Sequence, residues 1–478
     1  QWHGRPKKFV QYAIQKARND ASVPVMTDAP LMLSVSGARG IVGVTMTPAV
    51  AKRYAAAWGT FLRSQTEGEV RVVLGRDPRP SGAELVAAAR TGLQTAGCNV
   101  VDLGIAATPT VGFAVGRFGA AGGLMVTASH NPIEWNGIKC LDHRGVAPPP
   151  AVAEQVIARF QNNDVQTGGA GQSITDGSLT GHHVERVLAA VPVRSVPGSV
   201  VLDSVNGAGC EGGRQLLASL DVPYEHLYGE PHGVFARPAE PVPAHLGDLC
   251  DRVRHSEAVV GFAQDPDADR LVLVDERGVP IHEECTLALA ATWVLRHRGP
   301  GVLVANLSTS RMIDRIAEGF AGASVVRSAV GEANVVDVME QSNAILGGEG
   351  NGGVIDPKVV KVRDSITGIA MVLDLLAEED RPLSALVADL PTLAMVKEKR
   401  DLSAIGGRAA VAEVLAAVRS AFADGQVNNL DGVRVDLAEG WVHVRPSNTE
   451  PIVRVIAEAN TKDQADALVA QVTQAANL

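Results

Sequence analysis

The stretch "DPDADR" sets Asp265, Asp267 and Asp269 at alternate positions directly after an apolar run. Alternate residues of an extended chain share a face, with Cα atoms ~6.5–7 Å apart, so three carboxylates are held close together. Such a cluster repels itself unless a cation sits among it. Short Asp side chains on a bent loop can converge on one hard ion, and Mg²⁺ suits their reach and their oxygen donors. A solvated acidic turn is the plainer reading, but the apolar segments on either side pin these charges near the interior. Arg270, the next residue, has two readings: it neutralises one of the carboxylates, or it reaches a phosphate oxygen beside the metal.

Two other kinds of loop share part of this pattern. An EF-hand also begins D-x-D-x-D, and Glu276 falls at its twelfth position. Its sixth position must be a sharply turning Gly, however, and here it is Arg270, followed by the strand-like "LVLVD". An aspartyl-phosphate phosphatase of the haloacid-dehalogenase kind wants Thr or Val where Asp269 stands, and remains an outside alternative.

Three more loops carry chemistry-bearing residues. "TASHNP" (127–132) puts Ser129 between Ala128 and His130 and ends on Asn131-Pro132, which is either a capped turn or a serine displayed for reaction. "RPSNTEP" (445–451) joins the planar fork of Arg445 to Ser447, Asn448 and Thr449, donors suited to a phosphate. "GGEGNGG" (347–353) has one acid, Glu349, amid glycines. Its spacing is not that of a P-loop, and a carboxylate on so open a loop can bind vicinal sugar hydroxyls.

These loops must be positioned by something. "EVRVVLG" (69–75) reads as a buried strand, and "SGAELVAAARTGLQTAG" (81–97) as a helix with Ser81 and Glu84 spaced as a capping box and Gly97 as its stop. "CNVVDLG" follows as the next strand. This alternation predicts parallel or mixed sheets covered by helices. An apolar strand ending in a polar, glycine- or proline-punctuated loop recurs at 122–132, 258–270 and 343–353, and open α/β sheets gather ligands at such strand ends. The expected fold class is therefore α/β: three similar mixed α/β domains, each offering one loop to a central cleft, plus a C-terminal α+β domain from about Met395. The expected limits are 1–30 for an extension, 31–176 for the serine loop, 177–276 for the metal loop, 277–392 for the sugar loop and 393–478 for the phosphate loop.

Composition agrees. With 43 Lys+Arg against 53 Asp+Glu, the net charge of −10 argues against a nucleic-acid or anionic-membrane partner. No apolar run reaches the ~18 residues that span a bilayer. Five scattered cysteines, Cys98, Cys140, Cys210, Cys250 and Cys285, form no CxxC pair, which fits a reducing cytoplasm. The basic stretch "QWHGRPKKFVQYAIQKARND" has no apolar h-region and reads as an extension without chemistry.

In this order the four motifs resemble those of the phosphohexomutase superfamily (α-D-phosphohexomutases): a phosphoserine loop TASHNP, a metal loop of the type DGDGDR, a sugar loop of the type GExSGH and a phosphate loop RxSxTEP. The resemblance runs from "SVSGARGIVG" (34–43) to the C-terminus, and "GRDPRPSG" (75–82) and "FARPAEPVPAHL" (235–246) match supporting stretches. It implies four domains around a deep cleft, the last one similar to a TATA-binding-protein-like unit. It further implies that Ser129 is phosphorylated and, with Asp265, Asp267 and Asp269, holds Mg²⁺. Lys139 and Arg39 would line the phosphoserine, with Arg270 and His130 as further candidate catalytic groups and Lys139 as general acid/base. Glu349 and Asn351 would touch the sugar; Arg445, Ser447, Asn448, Thr449 and Arg454 would hold the far phosphate. Pro266 and Ala268 replace usual glycines, Asn351 and Gly353 stand for Ser and His, and Glu332 stands where some relatives have His. The spellings look most like the phosphoglucosamine-mutase branch, with phosphomannomutase/phosphoglucomutase as the alternative and a metal-dependent sugar phosphatase outside the class.

The implied reaction interconverts a hexose 6-phosphate and a hexose 1-phosphate, with a hexose 1,6-bisphosphate as intermediate and activator. A phosphate at about −1.5 to −2, three Asp and one Mg²⁺ leave roughly three negative charges, which Arg39, Lys139 and Arg270 balance. The enzyme is expected to act as a monomer or homodimer, with the fourth domain closing the cleft against water.

Overall fold

The computed structural model describes residues 30–447 and 452–478; the expected extension falls outside them except for its last residue. Arg71–Arg76 forms a strand with a buried middle. It pairs in parallel with Asn99–Ile105 on one side and Gly122–Val126 on the other, and Trp135–Leu141 returns antiparallel to Gly122–Val126. Ser199–Asp203, Tyr224–Leu227, Ala258–Gln264 and Leu271–Asp275 repeat this plan strand for strand. So do Val302–Asn306, Ser324–Ser328, Leu346–Glu349 and Gly353–Ile355. The first sheet is widened to seven strands by the hairpin Met32–Ser34/Gly37–Ile41 and by Ser173–Thr175. The expected recurrence is thus one of topology. Each of the three motif loops joins the third strand to the antiparallel fourth, where an open sheet collects its ligands.

Local chemistry explains most element ends, with one correction. The helix expected at 81–97 is Gly82–Thr95, and Gly97 turns away from it at φ +81°. The capping box is absent: Ser81 is itself in helical geometry and makes no side-chain cap. Its Oγ instead accepts from Asn136 Nδ2 at 2.8 Å, so a tertiary contact to the strand beyond the serine loop has displaced the local one.

The second and third sheets share a single apolar core, including Leu202, Phe262, Trp293, Leu303 and Ile366. Helix Ser365–Glu379, buried from Ser365 through Leu376, lies between them. The metal loop and the sugar loop therefore ride on one continuous body. The first sheet keeps a main core of its own around Tyr54, Trp58, Leu74 and Leu124.

The C-terminal unit is a five-stranded antiparallel sheet ordered Ala394–Asp401, Ile452–Ala459, Gly440–Pro446, Val433–Asp436, Gln426–Asn428. Helices Val411–Ala421 and Lys462–Ala476 supply its apolar core with the sheet. It docks on the third domain through polar groups: Arg311 to Asp436 at 2.9 Å, Lys397 to Glu283 at 3.0 Å, and Ser308 Oγ to His443 Nδ1 at 3.0 Å. His443 Nε2 meets the Asp431 carbonyl at 2.7 Å, so the neutral Nε2–H tautomer satisfies both partners. Burial pushes this imidazole down to about 4.

Because the folded pKa lies below the unfolded one, the folded state binds fewer protons. The contribution is complete above about pH 6.5 and is lost as pH falls toward 4. Between those pH values the wild type should lose roughly 3 kcal/mol more stability than His443→Gln, read by urea unfolding. Parallel curves would remove His443 from the docking of this domain.

Candidate active site

The acidic turn is tighter than an extended strand. The strand stops at Gln264, and the chain bends with Ala268 at φ +57°. Asp265 Oδ1 accepts the N–H groups of Asp269 at 3.0 Å and Arg270 at 3.1 Å. Ser365 Oγ donates to the Ala268 carbonyl at 2.8 Å, and Thr108 of the first domain donates to Asp267 from both N–H and Oγ1, the latter at 2.6 Å. The convergence expected from alternation is instead made by the turn. All three carboxylates are fully buried, with one oxygen of each within 4.8 Å of the others. Oδ1 of Asp267 and Oδ1 of Asp269 have no hydrogen-bond partner. An all-oxygen set with orphaned buried acceptors fits a hard divalent cation.

The serine loop faces this turn. Ser129 is buried at φ +49°, a left-handed conformation that costs a side-chain-bearing residue ~1 kcal/mol. Its Oγ donates to Asp265 Oδ2 at 3.1 Å and lies 3.3 Å from His130 Nδ1. Arg79 holds the loop in this shape. Its Nε donates to Asp77 at 3.0 Å, and its four remaining N–H groups reach the carbonyls of Ser129, Asn131, Pro132 and Trp135 at 2.6–3.1 Å. Asp77 also accepts from Thr127 Oγ1 at 2.6 Å. Every guanidinium donor is spent on posture, none on the cleft.

Cations surround the two loops. Lys139 Nζ donates to Asp267 at 2.6 Å and to Asp269 at 3.2 Å. Burial alone would lower its pKa; the two carboxylates overcome it and hold the amine as ammonium. Arg39 reaches Asn131 at 3.2 Å, and burial lowers its pKa against the pull of Asp267 and Asp269. Arg270 bonds Glu240, in the stretch 235–246, at 3.2 Å; its Nε stays 3.9 Å from Asp269 and has no hydrogen bond. Of the two readings of Arg270, the arrangement therefore favours a guanidinium with a donor to spare. Asp265 is pushed well above the usual carboxylate range, first by burial and then by Asp269 and Asp267. Asp269 is depressed in spite of burial, because Arg363, Lys139 and Arg270 surround it. Burial, with Arg270 and Arg39 beside it, pushes His130 down to about 2, so this imidazole is neutral and does not act as a cation.

Sequence reasoning missed Arg363. It links the metal turn to the sugar loop, donating to Asp269 at 2.6 Å, Glu349 at 2.7 Å and Glu332 at 3.0 Å. No motif marks it; its one local sign is that it precedes Asp364, the N-cap of helix Ser365–Glu379. Arg79 and Thr108 were missed too, although Arg79 stands inside the quoted stretch "GRDPRPSG".

Glu349 departs from expectation. It is the last residue of a strand and not part of an open loop, and its oxygens accept from Asn306, the Gly331 N–H and Arg363. Asn351 Oδ1 is buried and unpartnered nearby. Gly352, at φ +84°, has its carbonyl bonded by Leu271 N–H at 3.0 Å, and a Cβ there would meet the Leu271 carbonyl at 2.3 Å. The sugar loop and the strand after the metal turn are thereby stitched together. Arg445 is held by Asp431 at 2.9 Å, and Arg454 lies directly opposite it on the neighbouring strand. Ser447 N–H bonds the Ile452 carbonyl at 2.9 Å; Asn448 and Thr449 lie outside the described residues.

Removing Arg79 leaves the fully buried Asp77 carboxylate without its cation. Arg79→Ala should lower unfolding free energy by about 3–5 kcal/mol in urea titration and sharply reduce any turnover that depends on Ser129. A change under about 1 kcal/mol would mean that the loop keeps its posture by other means.

Family models for all four phosphoglucomutase/phosphomannomutase domains match the chain: the α/β/α domains I, II and III at 32–167, 182–278 and 283–393, and the C-terminal domain at 395–475. A Methanopyrus kandleri protein named "probable phosphoglucosamine mutase" is 37% identical over 434 residues, covering 90% of this chain and 94% of that one. A "phosphoglucomutase/phosphomannomutase" of Thermococcus kodakarensis is 35% identical over 438 residues, with the same coverages of 90% and 94%. A crystal structure of a phosphoglucomutase/phosphomannomutase family protein from Burkholderia thailandensis superposes with a TM-score of 0.82 at 28% identity, covering 93% of this chain and 98% of that one. With every domain matched in order and the relatives spanned nearly end to end, the chain belongs to the phosphoglucomutase/phosphomannomutase family, whose members are phosphohexomutases.

Proposed function

We propose that this enzyme interconverts hexose 6-phosphates and hexose 1-phosphates through a phosphorylated Ser129 and a bound hexose 1,6-bisphosphate, with glucosamine phosphate as its preferred sugar. The reading is carried by the 3.1 Å approach of Ser129 Oγ to Asp265, which sets a hydroxyl of one domain against the acidic turn of another. For the sugar, support comes from the relatives named for glucosamine phosphate and from Glu332 and Glu349. Both face the single guanidinium of Arg363, and the surplus negative charge suits an ammonium-bearing sugar over a neutral one.

In this scheme Arg445, Ser447, Asn448 and Thr449, with Arg454 alongside, hold the far phosphate while O1 of the sugar faces phosphorylated Ser129. The O1–P bond forms as the Ser129 Oγ–P bond breaks. Lys139, kept as ammonium, gives a proton to the departing Oγ and takes up the proton that the O1 hydroxyl loses; when Ser129 attacks the phosphate on C6, Lys139 gives a proton to the departing O6 and takes up the one that Oγ loses. Asp265, Asp267 and Asp269 with the serine phosphate would hold Mg²⁺, which supplies charge neutralisation at the transferring group. Arg39 and Arg270 face the same charge from the other side. His130, uncharged, orients Oγ. Arg363 positions Asp269 and Glu349 together, so the ion ligands and the sugar contacts move as a unit. The bisphosphate turns end for end within a closed cleft, which explains why most polar groups are committed to loop posture and few to one sugar orientation.

The test combines mass and turnover. Incubation with a hexose 1,6-bisphosphate should add one phosphate to the intact mass, mapping to Ser129. Glucosamine 6-phosphate should show the highest kcat/KM among the glucosamine, glucose and mannose 6-phosphates, and Ser129→Ala should fold but not turn over. Near-normal turnover of Ser129→Ala would overturn the mechanism. Stoichiometric release of inorganic phosphate would mark a metal-dependent phosphatase, and a higher kcat/KM for mannose or glucose 6-phosphate would move the substrate to the phosphomannomutase/phosphoglucomutase alternative.

A further inference from the structure

Away from the acidic turn and the serine loop, the three α/β domains meet around a groove of about 600 Å³, open to solvent, that the reaction does not use. Helix Thr108–Phe118 of the first domain forms one wall, helix Leu179–Ala190 of the second another, and the segment 357–361 of the third closes it. Four cations line it, Arg117, Arg144, Arg186 and Lys361, against one carboxylate, Glu185.

The cations differ in what occupies them. Arg144 bonds Asp142, Asp337 and Glu340, and Lys361 bonds Glu340; these three carboxylates are not among the lining groups. Among the described residues Arg117 and Arg186 make no hydrogen bond or ion pair; both are exposed to solvent, so two planar forks on two different domains border the same groove with no protein partner. In the same wall His182 Nδ1 is buried without a hydrogen-bond partner. Gly116 is exposed at the edge of the groove. A Cβ at Gly116 would meet nothing within 4 Å, and Gly116 sits in mid-helix, where glycine is otherwise unfavourable by about 1 kcal/mol relative to Ala. Phe113, Val359 and Val360 give the remaining wall an apolar surface.

We propose that this groove is a second binding site, for an organic phosphate of nucleotide size. Its volume is that of an ordinary small-molecule pocket, guanidinium forks match phosphate oxygens bidentately, and the apolar wall accepts the organic part. A ligand here would bridge the three α/β domains. It would also touch the helix whose first residue, Thr108, bonds Asp267, ~14 Å away along that helix. The site stands independently of the reaction assigned to the cleft.

The experiment is calorimetric titration of the full chain, without divalent metal, with adenosine triphosphate, glucose 6-phosphate and inorganic phosphate in turn. Wild type is compared with Arg117→Glu/Arg186→Glu and with Gly116→Leu. The double variant removes the forks, and the leucine fills the space without touching charge. The expected result is saturable binding of the nucleotide, weakened about tenfold or more in both variants, with phosphosugar turnover in its absence retained. The same loss seen with glucose 6-phosphate would assign the site to a sugar phosphate, and with inorganic phosphate to the phosphate group alone; each supports the site. Isotherms identical across the three proteins for every probe, or no saturable binding to wild type, would overturn it.

Discussion

Three carboxylates fully buried within 4.8 Å of one another set the terms for everything around them. Their mutual repulsion is not screened by water, so cations must be brought to them by the fold. Lys139 comes from the first domain and Arg363 from the third, both bonding Asp269, while Arg270 follows the turn itself. The opposite shifts of Asp265 and Asp269 are the signature of that arrangement: the carboxyl nearest the cations is depressed, and the one facing the serine is raised. The acidic turn thus serves as the electrostatic joint of three domains, and its carboxylates are close enough to hold an ion.

The architecture is what makes this joint possible. One four-strand plan used three times delivers three loops at the same topological position, and fusing the second and third cores fixes two of those loops to each other. The first domain brings the serine loop under separate control, stiffened by Arg79 and Asp77. The fourth domain meets the third through ion pairs and hydrogen bonds around Arg311, His443 and Lys397. Polar docking of that kind is compatible with opening and closing of a cleft, whereas the shared apolar core is not.

What the sequence made legible follows the range of each interaction. The acidic trio and the threefold recurrence are written in short contiguous stretches, and both could be read there. Arg363 could not, because its importance comes from three carboxylates 14, 31 and 94 residues away. The role of Arg79 is hidden for the same reason: its partners are loop carbonyls about fifty residues on. The capping box at Ser81 failed because a long-range bond from Asn136 outcompeted a local one. Glu349 was placed on an open loop because glycines surround it, yet pairing of Leu346–Glu349 with Gly353–Ile355 carries it into a strand. Local pattern marked the candidate loops; the side chains that hold those loops in place are set by tertiary neighbours.

The central claim is that the serine phosphate and the acidic turn form one ion site across two domains. Calorimetric titration of Mg²⁺ into the Ser129-phosphorylated and unphosphorylated enzyme tests it directly. The account predicts at least about tenfold tighter binding, ~1.4 kcal/mol, for the phosphorylated form, with the difference abolished in Asp267→Asn. Equal Mg²⁺ affinity in the two forms would contradict it.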